Sequence, residues 1–181
     1  MRAAIAAFII GATVLAAAEI PRPASEYVIK LPNGQQELLS KYKGKVVAME
    51  FLLTTCPHCQ NTAKVLSKLN QELGPKGFQP LGVAINPGAD LGGFATQNNV
   101  TYPLGMGDRD SAMVFLQHSL MAQFYVPQLV LIDRKGMIRA QYSGTDTFLS
   151  SNEEMNIRGM VEKLMNESAP AKAAKSRKKA S

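Results

Sequence analysis

The sequence predicts an α/β domain, and three observations predict it. Two largely apolar runs of eight residues, 46–53 and 78–85, have the length and character of buried strands. Each is followed by a helical pattern: Val65, Leu66, Leu69 and Leu73 recur at helical spacing after the first, and residues 89–98 read as a short helix after the second. Turn signals, Asn33-Gly34 and Arg134-Lys135-Gly136, punctuate shorter extended segments. Strands alternating with helices build a layered α/β architecture rather than a sandwich or a bundle.

In chain order, residues 27–30 and 35–38 read as a hairpin closed by Pro32-Asn33-Gly34, since Asn-Gly supplies the positive φ angles of a tight turn. Residues 46–53 form the first core strand, and a helix capped by Cys56 follows. Residues 78–85 are a second buried strand; the helix 89–98 ends at Asn98-Asn99. Residues 110–124 read as a further helix, with Met113, Val114, Leu120 and Met121 among its apolar positions and His118 on its surface. Residues 128–133 and 137–142 pair as strands around Arg134-Lys135-Gly136. An amphipathic helix over 152–166 closes the domain, apolar at Met155, Met160, Val161, Leu164 and Met165. The nine methionines read mainly as gap-filling core residues on helix faces.

The two ends stand apart from this pattern. Met1-Arg2 and an uncharged, alanine-rich run over 3–18 read as a signal peptide cleaved before Glu19, or as a retained N-terminal anchor. Either places residues 19–167 outside the cytoplasm, in a periplasmic or otherwise exported setting where disulfides persist. The formal charge of +6 is carried by Arg2 and by Lys172, Lys175, Arg177, Lys178 and Lys179, leaving 14 basic and 14 acidic side chains between. Residues 168–181 read as a disordered basic tail. Weak membrane association through either end is the alternative to a solvated tail. No basic or aromatic stripe continues into the domain, which argues against nucleic-acid binding.

The chain's only cysteines, Cys56 and Cys59, stand two residues apart where strand gives way to helix. A thiolate at a helix N-terminus faces unsatisfied backbone N–H groups and the positive end of the helix dipole, which stabilise the anion. Pro57 suits the first helical turn. His58, as a cation or by a ring N–H donated to sulfur, would favour the thiolate further and argues for an oxidising pair. A zinc site would need a second ligand pair, and the only other histidine is the distant His118. A structural disulfide over so short a loop would stabilise weakly. Glu50, in the middle of an apolar strand, is either a buried functional acid or an outward, solvated side chain.

With these residues in place, the chain resembles the thioredoxin superfamily, and within it the exported thiol–disulfide oxidoreductases of the TlpA and ResA kind, over roughly residues 27–166. The resemblance implies a central mixed sheet flanked by helices, an N-terminal hairpin, and a helical insertion before a strand that opens with a cis proline. Val126-Pro127, ahead of Leu129-Val130-Leu131-Ile132-Asp133, matches that proline position, so Val126 and Pro127, with Pro57 and Thr55, are expected to hold a substrate chain. Glu50, six residues before Cys56, matches an acid that assists proton transfer at the second cysteine, though the family more commonly has aspartate. Cys56-Pro57-His58-Cys59 is the active-site sequence of DsbA-type oxidases, so the fold resembles a reductase and the motif an oxidase.

These features imply a dithiol–disulfide exchange enzyme for protein substrates. Cys56 is the expected nucleophile, Cys59 the resolving thiol, His58 a tuning group and Glu50 a proton acceptor. A redox partner protein supplies or removes electrons, and no metal or organic cofactor is implied. Two alternatives remain: a peroxiredoxin-like thiol peroxidase, although Leu53 stands where that motif places a threonine, and a Cu(I)-binding module, although its cysteines are usually spaced one residue wider.

Overall fold

The computed structural model describes residues 19–167, so the segments 1–18 and 168–181, read above as export signal or anchor and as basic tail, lie outside the described residues. Arg22–Pro23 (β1) is a two-residue strand, and Val28–Lys30 (β2) and Gln36–Leu38 (β3) form the expected hairpin. Its turn differs from the expectation in one respect: of Asn33 and Gly34, only Gly34 is left-handed, with φ +80°. The connection runs over residues 31–35, long enough for a single left-handed residue to close it, and Asn33 Oδ1 accepts the Gln35 N–H instead.

Val46–Leu52 (β4) leads to Pro57–Leu73 (α1), then Phe78–Ala84 (β5), Leu91–Gln97 (α2) and Leu104–Met106 (β6). Arg109–Phe115 (α3) precedes Gln128–Ile132 (β7), Met137–Ser143 (β8), Thr147–Ser150 (α4) and Glu153–Glu167 (α5). Among the described residues no helix is long and apolar enough to cross a membrane.

The eight strands form one mixed sheet in the order β1-β8-β7-β4-β5-β6-β2-β3. β4, β5 and β6 are parallel, while β7 runs antiparallel to β4 and the hairpin adds its strands beyond β6. Because successive side chains on a strand point to opposite faces, β4 divides the core. Val47, Met49 and Phe51 pack with Tyr27, Val83, Ala112 and Phe115 on one face. Val46 and Ala48 pack with Leu66, Leu69, Ile157 and Val161 of α1 and α5 on the other. Glu50 and Leu52 follow the second set, so Glu50 is turned towards α1 and is fully buried. The outward-facing alternative for Glu50 is thereby excluded.

The expected helix over 110–124 stops at Phe115, and the reason is a helix-ending motif without glycine. Gln117 adopts φ +56°, its N–H bonds Val114 O, and the His118 N–H reaches back to Met113 O. Val114, Leu120 and Met121, read as apolar helix positions, are exposed, Met121 to 95%. Met155 of α5 is likewise exposed, so methionine serves as core filler only in part, at Met49 and Met113 among others. His118 is not on a helix: it is half-buried and takes a hydrogen bond from Gln141 Nε2.

Candidate active site

Cys56 sits at the end of the loop that leaves β4, in extended backbone at the N-cap of α1, with Pro57 in the first helical turn. Its sulfur accepts the Cys59 backbone N–H at 3.5 Å, satisfying one of the N–H groups a helix start leaves free. Cys56 is half-buried, flanked by exposed Thr55 and Pro57, whereas Cys59 is fully buried and both thiols are free. One sulfur is thus open to a partner and the other is reachable only through the first.

The loop before Cys56 is held by residues that sequence reasoning missed. Asn86, just beyond β5, accepts the Thr54 N–H at 3.1 Å and donates to Thr54 Oγ1 at 3.0 Å. Gln60 donates to Thr54 O, and the Cys56 N–H bonds Leu53 O. β4 and β5 are parallel and end together, so the turn after β5 falls beside the turn that carries the cysteine. That shared sheet end is a signal that points to Asn86 once the strand order is known.

Val126 packs in the same cluster as Cys56, Cys59 and Leu52, and the Val126–Pro127 bond is cis, as the resemblance implied. Gly144, just beyond β8, presses on this segment: a Cβ there would overlap Val126 O and stand 3.1 Å from Pro127 Cδ. Cys56, Thr55, Pro57, Val126 and Pro127 therefore belong to one end of the sheet.

His58 is placed differently from the expectation. Its Nε2 lies 3.1 Å from Leu149 O, to which it donates, tying the first turn of α1 to α4. A neutral imidazole has a single N–H, so none is left for the Cys56 sulfur, which takes its hydrogen bond from Cys59 N instead. His118 is bound to Gln141 on the opposite face of the sheet, away from the cysteines. Among the described residues no group of three or more His, Cys, Asp or Glu is placed to hold a metal ion.

Glu50 lies behind the pair, with neither carboxylate oxygen hydrogen-bonded. Burial, then the charges of Glu153 and Cys56, raise its pKa well above the ordinary carboxylate range. Burial and the Glu50 charge likewise push the Cys59 thiol up, so Cys59 does not ionise unaided near neutrality. The tyrosine Tyr102, buried on the same side, is raised by burial and by Glu50.

Comparison with known proteins bears on the fold and the family. The AhpC/TSA family model matches residues 20–141. The thiol-disulfide oxidoreductase ResA of Geobacillus thermodenitrificans is 24% identical over 125 residues, covering 68% of this chain and 69% of that protein. A Xenopus laevis protein named "Probable glutathione peroxidase 8-A" is 31% identical over 87 residues, but the chain spans only 42% of its length. Among solved structures, a thiol:disulfide interchange protein of the thioredoxin family from Chlorobium tepidum superposes with a TM-score of 0.67 at 18% identity, over 80% of this chain and 97% of that one. That likeness establishes a thioredoxin-like fold, and the family match establishes descent: the chain belongs to the AhpC/TSA family.

Proposed function

We propose that the protein is an extracytoplasmic thiol–disulfide oxidoreductase that exchanges its Cys56–Cys59 dithiol or disulfide with protein substrates. The observation that carries this reading is the asymmetry of the pair: a half-exposed Cys56 at a helix N-terminus, and a sealed Cys59 backed by an unpartnered carboxylate. In the oxidising direction a substrate thiolate attacks the Cys56 sulfur and the Cys59 thiolate leaves. In the reducing direction the Cys56 thiolate attacks a substrate disulfide, and Cys59 then displaces the substrate from Cys56. Glu50 accepts the Cys59 proton as that thiol attacks. Val126 and Pro127, with Thr55 and Pro57, hold the substrate chain beside Cys56. His58 tethers the first turn of α1 and acts on the thiolate only when its ring is charged.

The ResA relative supports the activity, and the apolar run over 3–18 supports the location. A redox partner protein completes the cycle. The thiol-peroxidase reading draws on the glutathione-peroxidase relative, but half-buried Leu53 brings no hydroxyl to the site. Incubation with a disulfide-bonded protein tests the proposal: Cys59→Ser accumulates a mixed disulfide on Cys56, and Cys56→Ser forms none. Equal trapping by both variants, or by neither, overturns it.

A further inference from the structure

A second carboxylate, which the sequence did not single out, is bonded to α1 three residues beyond Cys59. Glu153 opens α5, is 7% exposed, and has a donor on each oxygen: Thr62 Oγ1 on Oε1 and Asn61 Nδ2 on Oε2. Thr62 and Cys59 are three residues apart on α1 and both fully buried, so they share the face turned towards β4 and Glu50. The two carboxylates, one on β4 and one on α5, therefore meet the same face of α1 in different surroundings. Glu50 is sealed and has no hydrogen-bond partner, whereas Glu153 is bonded to Asn61, which is exposed.

Two ionised carboxylates accept hydrogen bonds and donate none, so neither bonds the other. Protonation of Glu50 changes this. It becomes a donor in a dry interior, where the carboxylate of Glu153, whose charge acts on Glu50, can accept, and hydrogen bonds of that kind are strong. On the reading that Glu50 takes the Cys59 proton, the geometry points to Glu153 as the proton exit between sealed Glu50 and the solvent at Asn61.

The step balances without a further reactant. The Cys59 S–H bond breaks as a Glu50 O–H bond forms, and the Cys59 thiolate attacks the Cys56 sulfur, expelling the substrate thiolate. The Glu50 O–H bond then breaks as a Glu153 O–H bond forms, and Glu153 gives the proton to water. The titratable groups facing Glu50 are Cys56 and Cys59 at the start of α1, Tyr102 ahead of β6, and Glu153 on α5. Glu153 is thus a positioning and relay residue that acts through Glu50.

A chromogenic aryl disulfide separates the two chemical steps. Reduced protein releases a first aryl thiolate as Cys56 attacks and a second as Cys59 resolves the mixed disulfide. Each phase is followed from pH 5 to 9, in water and in deuterium oxide, for the native protein and for Glu50→Gln, Glu153→Gln and Glu153→Asp. The relay predicts that Glu153→Gln leaves the first phase unchanged and slows the plateau of the second about tenfold, less than the loss from removing a direct general base. Its inflection also moves to lower pH, because the charge that raises Glu50 is gone. Glu153→Asp, which keeps the carboxylate, recovers most of the plateau. An unchanged plateau in Glu153→Gln overturns the relay while leaving Glu50 as base. An unchanged second phase in Glu50→Gln overturns the Glu50 reading itself, and a native protein without a second phase overturns dithiol exchange.

Discussion

Glu50→Gln is expected to stabilise the protein in proportion to pH. The native side chain is fully buried with both oxygens unpartnered, and its pKa is raised, by burial first and by Glu153 and Cys56 next. A folded pKa above the unfolded one means that the native state binds more protons than the unfolded state between the two values. Stability therefore falls as pH rises through that window, by 2.303RT, about 1.4 kcal/mol per pH unit for one group. An unfolded glutamate titrates near pH 4.3, so by pH 7 the accumulated loss has a ceiling of about 4 kcal/mol. Glutamine keeps the shape and the unpartnered oxygen but does not titrate. Urea unfolding of the reduced native and variant proteins from pH 4 to 8 gives the difference directly, with equal m-values confirming that only stability has changed. The two curves lie at a constant small offset near pH 4 and diverge in favour of glutamine above it. Parallel curves over the whole range, or divergence in favour of the native protein, would refute the reasoning.

Three further substitutions bear on the loops around the cysteines. Gly144→Ala puts a methyl group against the Val126 carbonyl, a contact that forces the segment to move, and is expected to cost about 1–3 kcal/mol and to weaken protein-substrate exchange; unchanged urea midpoint and kinetics would contradict the contact. Asn86→Ala leaves the Thr54 N–H and hydroxyl without partners, costing about 1–3 kcal/mol and slowing the first aryl-thiolate release, because the loop carrying Cys56 loosens; a change confined to the second phase would be the wrong result. His58→Ala at pH 8 is expected to move the reduction potential by less than about 30 mV, the equivalent of about 1.4 kcal/mol, since the ring bonds Leu149 O rather than the sulfur. A larger shift would return the histidine to direct contact with Cys56.

Much of the site was legible because its signals are local. An unbroken apolar run, a cysteine, a proline and then helical spacing describe a strand, an N-cap and a helix, and the structure places Cys56 at that cap. Glu50 was conspicuous because a carboxylate in a seven-residue strand whose other six residues are apolar demands an explanation. The misses are set by tertiary context. β1 has two residues and exists only because Arg22 and Pro23 pair with Ile138 and Met137. β6 has three, held between β5 and the hairpin. The end of α3 was hidden because Gln117 takes the left-handed position usually given to glycine. The bond from His58 to Leu149 O joins residues 91 apart, and Glu153 meets Asn61 and Thr62 across a similar span, so no spacing rule reaches either.

The central claim is that Cys56 and Cys59 act as one reversible couple with Cys56 in front. Equilibrating the protein in a series of glutathione redox buffers, then quenching and counting alkylated thiols by mass, tests it most directly. The account predicts that two thiols appear and disappear together as a two-electron couple, and that Cys56→Ser abolishes the transition. A midpoint above about −180 mV would mark an oxidase and one below about −250 mV a reductase. A pair that stays in one state across all buffers, or a Cys56→Ser variant whose remaining thiol still exchanges freely, would contradict it.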